Sequence, residues 1–368
     1  MSHNDTYAQR VFRERTQLIR QTLIDLPDAC RDFIMAIEPT TSILTRLGYA
    51  RDLKCFFGFL SREIPCFGGF TPEQWTTQAL DTINANHIER FMDYLTLYVN
   101  DDEAEYTNAE AGKMRKLSTL RSFFRYLFKM HKISANISTL VDMPKRHEKP
   151  ILRLEIDEVA RMLDEAESGA ALSERQQAYH TLTRKRDLAM LTLFLGTGIR
   201  VSECVGLNLE DVDFENDSFL VTRKGGNQVI LYFPEEVSAV MRGYVAWRKE
   251  QTALPGHESA MFLSLQKKRM SVRAVENMVK KYAVLAAPLK KRISPHKLRS
   301  TYGTNLYQET GDIYLVADVL GHSDVNTTRR HYAAMSDERR RMAAKAVVLR
   351  ESAPEKRGGD APSEETAD

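Results

Sequence analysis

Cysteine is scarce in this 368-residue chain, and its four copies (Cys30, Cys55, Cys66 and Cys204) stand far apart with no C-x-x-C pair. That spacing supports neither a zinc site nor a disulfide framework, and it suits a reducing cytoplasm. No apolar run reaches the roughly 18 residues that a membrane span needs, so no membrane partner is expected. The opening stretch, MSHNDTYAQRVFRERTQ, lacks the apolar segment of a secretory signal. Clustered Asp/Glu sets of the two-metal nuclease kind are missing, as is a G-x-x-x-x-G-K-[ST] phosphate loop. Neither a metal nor a nucleotide cofactor is therefore expected.

Acid is also missing in places. Residues 111–141 and 277–308 contain no carboxylate, and each stretch carries seven Lys or Arg. The formal net charge of +2 hides this, because ESAPEKRGGDAPSEETAD (351–368) concentrates six acids against two bases. Without that tail the body is +6. Basic stretches of this kind attract phosphate backbones by releasing counterions, although helical proteins also carry basic faces for solubility alone. The tail has too little apolar content to pack and is expected to be disordered.

What is present reads mainly as helix. Tyr7, Val11, Leu18, Ile19, Leu23 and Leu26 recur at three- and four-residue steps until Pro27. Ile43 to Leu60, Ile88 to Leu95 and Met114 to Leu127 repeat the pattern, and Arg121, Arg125 and Lys129 form a basic ridge beside the last stripe. MPKRHEKP (143–150) reads as a linker. Beyond it come a helix in IDEVARMLDEAE, a polar stretch from Ser168 to Thr183, and an apolar helix in DLAMLTLFLGTGIR. SFLVTRKGGNQVILYF (218–233) reads as a β-hairpin, and helix returns after about residue 271.

Several residues in the second half could do chemistry. In LGTGIRVSEC, two glycines permit a tight turn that leaves Arg200 where a helix restarts; the arginine could clamp phosphate oxygens or pair with Glu203. In SPHKLRSTYGTNLY, Ser294 suits an N-cap and Pro295 the first helical position, so His296 and Arg299 share one face near a helix start. Lys224 occupies the hairpin tip, where an ammonium could protonate a leaving oxygen or simply stay in water. His322 follows a glycine at an apparent helix break, and could donate to a phosphoryl oxygen or cap a helix. Tyr332 lies ten residues beyond His322, behind Arg329, Arg330 and His331.

Taken in order, LGTGIRVSEC, the RKGG hairpin, SPHKLR, VLGHSDVNTT and the tyrosine of RRHYAAM resemble the tyrosine recombinases of the lambda-integrase family, in particular the Xer-type members. The likeness covers nearly all of residues 150–345, and TRLGYARDLKCFFGFL adds a looser likeness to the family's N-terminal domain. It implies a mainly α fold with a small antiparallel β-sheet (α+β), built as a C-shaped clamp around DNA. Residues 1–27 would be a helical extension, 28–143 a SAM-like core-binding domain, 144–150 the linker, 151–350 the catalytic domain and 351–368 the acidic tail.

The same resemblance implies the roles. Tyr332 would be the nucleophile of a 3′-phosphotyrosyl intermediate. Arg200 and Arg299 would hold the non-bridging oxygens, His322 would add a hydrogen bond, His296 would assist proton transfer, and Lys224 would act as general acid. Recombination would pass through a Holliday junction without metal or ATP, in chromosome dimer resolution or in integration and excision of a mobile element. The partners implied are double-stranded DNA target sites, a homotetramer formed by C-terminal helix exchange, and a DNA translocase or accessory recombination factor.

Three departures qualify the match. No second basic residue follows Lys224 in Gly225-Gly226-Asn227-Gln228, which makes Arg223 a competitor for its role. The ten-residue step from His322 to Tyr332 is at or just above the Xer-type spacing, and His331 is bulky. No separate arm-binding domain precedes the core-binding region, which favours a compact Xer-like enzyme. A type IB topoisomerase and a non-cleaving DNA-binding protein on the same scaffold are the alternatives.

Overall fold

The computed structural model describes residues 7–99, 104–145, 152–223, 226–290, 292–321 and 325. The chain divides into two compact units. One is built on the first 150 residues, grouped with Val221–Val229 and Ala253–Ala260, and the other on the remainder.

The first unit is a helical bundle. Helices α1 (Tyr7–Ile24), α2 (Asp28–Ala36), α3 (Ile43–Glu63), α4 (Thr77–Asp81) and α5 (Ala85–Tyr94) lead to two short antiparallel strands, β1 (Tyr98–Val99) and β2 (Glu105–Tyr106), and then to α6 (Glu110–Lys129). Their apolar stripes meet in an aromatic core. Phe33 sets its ring edge-on to Phe123 at 5.5 Å, and Phe56 does the same to Phe91 at 5.1 Å. Edge-to-face rings of this kind add to the stabilisation that burial alone provides. Ile19, Leu23 and Leu26 belong to this same core, so the break at Pro27 separates two helices and not two cores.

The acid-free stretch of this unit is largely committed internally. Asp52 on α3 is buried, and it accepts from Arg115 at 2.5 Å and from Thr119 Oγ1 at 2.8 Å. Lys113 donates to Thr96, Lys116 to Asn108, and Lys132 pairs with Asp32 at 2.6 Å. Of the expected ridge, Arg121 donates to the Val141 carbonyl at 2.7 Å. Arg125 and Lys129 are exposed, with no ion pair among the described residues.

The second unit opens with α7 (Ile156–Ser168) and α8 (Glu174–Thr197). The polar stretch and the apolar helix read separately from the sequence are thus largely one element, started by a capping box between Ser173 and Gln176. Its first half meets the protein mainly through His180, Thr183, Arg186 and Asp187, whereas Ala189, Met190, Leu191, Leu193 and Phe194 are buried on all sides. Because the two halves have different environments, no single amphipathic period runs through the helix.

After α9 (Val201–Gly206), strands β3 (Val212–Asp213), β4 (Ser218–Thr222) and β5 (Gln228–Tyr232) form a sheet in that order. The turn between β4 and β5 is closed by Arg223 N–H donating to Asn227 O at 2.8 Å, with Gly226 at φ 86°. The chain continues through α10 (Glu235–Lys249), α11 (Val272–Ala286), α12 (Pro295–Thr310) and α13 (Ile313–Leu320). Helices α7, α10 and α12 pack on α8, and the end of α8 at Gly198 meets the first half of α12 at Arg299 and Tyr302.

Candidate functional site

The site is built around the end of α8. Gly198 closes that helix in the left-handed region at φ 62°, where a side chain is strained. Space excludes one as well, because a Cβ at this position would run into the Tyr302 ring and approach Leu320 Cδ2 to 2.9 Å. This close approach packs the α8 end against α12 and α13. Two residues on, Arg200 takes the N-cap position of α9, as the spacing of LGTGIR suggests.

Glu203 fixes Arg200 doubly. One carboxylate oxygen accepts from the Arg200 backbone N–H at 2.9 Å, and the other from its guanidinium at 2.8 Å. The carboxylate is buried and the guanidinium about one-third exposed. The second guanidinium nitrogen donates to the carbonyls of Leu320 (3.1 Å) and Gly321 (2.8 Å) at the end of α13. Of the two sequence readings of Arg200, the ion pair with Glu203 is present, and the remaining guanidinium nitrogen is held by main-chain carbonyls.

Helix α12 supplies the second cation. Ser294 occupies its N-cap position and Pro295 its first turn, as expected, although the serine side chain makes no capping bond. Arg299 is buried and donates to the carbonyls of Gly198 and Leu320. The Leu320 oxygen thus receives both guanidinium groups, at the partly negative end of α13 where cations are favoured. His296 is exposed on the first turn of α12, three residues before Arg299. Burial pushes the Tyr302 hydroxyl pKa up, with the Arg299 charge opposing it. Burial does the same to the Cys204 thiol inside α9, which keeps it protonated and unreactive.

Lys224, His322 and Tyr332 lie outside the described residues, as do Arg329, Arg330, His331 and the tail 351–368. Arg223, the competitor of Lys224, is half-buried at the start of the β4–β5 turn. Two features escaped the sequence reading: the backbone acceptors at Leu320 and Gly321, and the packing of Tyr302 on Gly198. No residue type marks a main-chain oxygen, so only the fold exposes the first.

Chemically, the arrangement offers two fixed guanidiniums, one buried carboxylate and a histidine on the first turn of the helix that carries Arg299. Planar guanidiniums that share one carbonyl oxygen have the donor geometry that suits the non-bridging oxygens of a phosphodiester.

Comparison with known proteins is consistent. Residues 153–339 match the model of the phage integrase family. The tyrosine recombinase XerC of Caldanaerobacter subterraneus subsp. tengcongensis is 30% identical over 338 residues, which span 88% of this chain and 89% of that protein. Among solved structures, the XerH site-specific recombinase bound to its difH substrate aligns with a TM-score of 0.58 at 19% identity, covering 82% of this chain and 79% of that one. The Tn1549 transposon integrase in complex with a circular intermediate DNA aligns with a TM-score of 0.61 at 17% identity, covering 86% and 98%. These two establish the shared fold.

Proposed function

The chain belongs to the phage integrase family and is a tyrosine-type site-specific recombinase, and we propose that it cuts and rejoins double-stranded DNA through Tyr332. The phenol passes its proton to His296 as its oxygen attacks the scissile phosphorus, the bond to the 5′-oxygen breaks, and Lys224 gives that oxygen its proton. A 3′-phosphotyrosyl ester results. Because the ester retains the energy of the broken phosphodiester, the reverse attack by a 5′-hydroxyl reseals the strand without ATP.

Arg200 and Arg299 hold the non-bridging oxygens and stabilise the charge of the five-coordinate transition state. Phosphoryl transfer depends mostly on such positioning and charge stabilisation. His322 adds a hydrogen bond to the same phosphate, and His296 assists the proton transfers. The observation that carries this reading is the meeting of Arg200 and Arg299 on one acceptor oxygen, contributed by the residue just before Gly321 and His322. Residues 28–143 serve as the core-binding domain and 151–350 as the catalytic domain. Paired exchanges through a Holliday junction require four subunits, joined by exchange of their C-terminal helices. A DNA translocase or accessory factor would control the second exchange. The reaction serves chromosome dimer resolution or the movement of a mobile element, which the cleavage position on genomic DNA would distinguish.

The test uses a nicked target site recovered by covalent capture from genomic DNA, which traps the phosphotyrosyl complex by losing its free 5′-hydroxyl. The parent protein should become covalently attached. Tyr332→Phe should bind the site with unchanged affinity and form no adduct. An adduct in the phenylalanine variant would remove Tyr332 from the chemistry.

A further inference from the structure

Arg269 lies far from Arg200 in sequence, yet it holds the opposite end of the same short helix. The segment Met261–Met270 doubles back on itself. Ser264 N–H donates to Lys268 O at 2.7 Å, Met270 N–H donates to Phe262 O at 3.0 Å, and Lys267 takes a left-handed φ of 60°. This bend brings Arg269 opposite Leu263 and delivers its guanidinium, buried, to the C-terminus of α9. There one nitrogen donates to the carbonyls of Val205 (3.0 Å), Gly206 (3.0 Å) and Leu207 (2.6 Å). The other donates to Asn208 Oδ1 at 2.5 Å.

A helix of six residues has few hydrogen bonds of its own and leaves its last carbonyls without helical partners. A cation at that end satisfies the carbonyls and favours the helix dipole. Arg200 is the N-cap of this helix and Glu203 lies on its first turn. Anything that frays or rotates α9 therefore moves both the clamp and the carboxylate that fixes it.

We infer that Arg269 is a positioning residue of the catalytic site, setting the register of α9 so that the Arg200 guanidinium meets the phosphate. The inference rests on the role given to Arg200 above. Misplacing a catalytic group by about 1 Å can cost a hundredfold in rate, so Arg269→Gln should slow single-turnover cleavage about 10- to 100-fold at saturating DNA. The DNA concentration giving half the maximal rate should stay within about twofold, because the substitution alters the reacting geometry and not the backbone contacts. Arg269→Lys, which keeps the charge but not the fork, should recover part of the loss.

A double-mutant cycle separates this from a loss of folding. In an Arg200→Lys background, which retains a cation and is expected to keep a slow cleavage, Arg269→Gln should add less than about a threefold further loss, because residues acting as one unit are not additive. Equal losses in both backgrounds would overturn the inference, as would cleavage within about threefold of the parent. A fall that tracks the half-saturating DNA concentration would also overturn it. If Arg269→Gln does not fold, Arg269→Lys carries the same comparison. Should Arg200→Lys itself cleave at the parent rate, the functional reading of Arg200 fails instead, and the cycle says so directly.

Discussion

Arg200 and Arg299 donate to one and the same oxygen, the carbonyl of Leu320. Two cations on a single acceptor repel each other unless something compensates. Here the compensation is the buried Glu203 carboxylate beside Arg200 and the carbonyls of Gly198 and Gly321. Two guanidiniums thus converge at the end of α13, with one buried carboxylate between them and the neighbouring turn.

The first prediction follows from that geometry. Arg200→Lys keeps the charge but replaces a planar fork by one ammonium, which cannot serve Glu203 and an outward acceptor in the same directions. Loss of one preorganised donor typically costs about 100- to 1,000-fold in rate, or about 2.7–4 kcal/mol. Single-turnover cleavage of a nicked site should fall within that range, while binding measured by gel shift changes much less. A parent-like cleavage rate would show that the fork is not used.

Gly198 joins the end of α8 to the packing of Tyr302 and Leu320, so Gly198→Ala is expected to damage both backbone and packing. The left-handed conformation alone costs a non-glycine residue about 1–2 kcal/mol. Overlap with an aromatic ring adds more, and the ring sits in a helix that cannot easily shift. Thermal unfolding should show a clear drop in Tm for the variant, and pairing it with Tyr302→Leu should restore part of the loss. Equal melting of Gly198→Ala and the parent would contradict the packing described.

The helices of the first unit were legible because their apolar residues recur at one period against one core, as Leu53, Phe56, Phe57 and Leu60 do on α3. The long α8 was read as two pieces because the burial of its halves differs. Arg200, His296 and Arg299 could be named from sequence, since glycines, a proline and a cap mark the turns that carry them. Glu203 could be named as a partner of Arg200, three residues away, but the main-chain partners could not. Leu320 and Gly321 act through main-chain oxygens, and Arg269 acts on three more, so these contacts leave no trace in residue type. The basic ridge was legible as a spacing, but the spacing of Arg121 gives no sign that the Val141 carbonyl already holds it.

His180 sets a pH dependence of stability away from the site. It is buried on α8, where Nδ1 meets the Tyr282 hydroxyl at 3.1 Å, and that hydroxyl donates to Asp187 at 3.0 Å. Burial holds its pKa below the ordinary 6.5, a backbone hydrogen bond to Glu167 opposes this, Lys281 and Arg184 act with burial, and Asp187 acts against it. The unfolded chain therefore takes up a proton near pH 6.5 that the folded chain refuses. Stability is lost as pH falls below that value, and the loss stops growing once the folded imidazole also charges. Melting temperatures compared between about pH 7.5 and 5.5 should show the fall, and His180→Gln should reduce it. An unchanged pH dependence in the variant would assign the effect to other groups.

Charges on α6 divide into two classes with different consequences. Arg115 serves the buried Asp52, and Arg115→Ala should destabilise the first unit by about 1–3 kcal/mol through the carboxylate it leaves behind. Arg125 and Lys129 are exposed and should act on DNA instead. Each substitution to alanine should leave Tm unchanged and reduce the slope of log affinity against log salt by about one. If either slope stays at the parent value, that residue lies off the DNA-facing surface.

The general acid can be identified by changing the leaving group instead of the protein. An alkoxide leaving from phosphorus needs a proton as the P–O bond breaks, and the hairpin offers Lys224 with Arg223 beside it. Lys224→Ala should therefore slow cleavage of an ordinary site by about 10²–10⁴, the usual range for a general acid. A site carrying sulfur at the 5′ bridging position releases a thiolate, which leaves without a proton because thiols are far stronger acids than alcohols. On that substrate Lys224→Ala should cleave close to the parent rate, while Arg200→Lys should remain slow, since charge on the non-bridging oxygens develops whichever atom departs. If sulfur rescues Arg223→Ala and not Lys224→Ala, the proton comes from Arg223's position. If it rescues neither, the hairpin does not supply the acid.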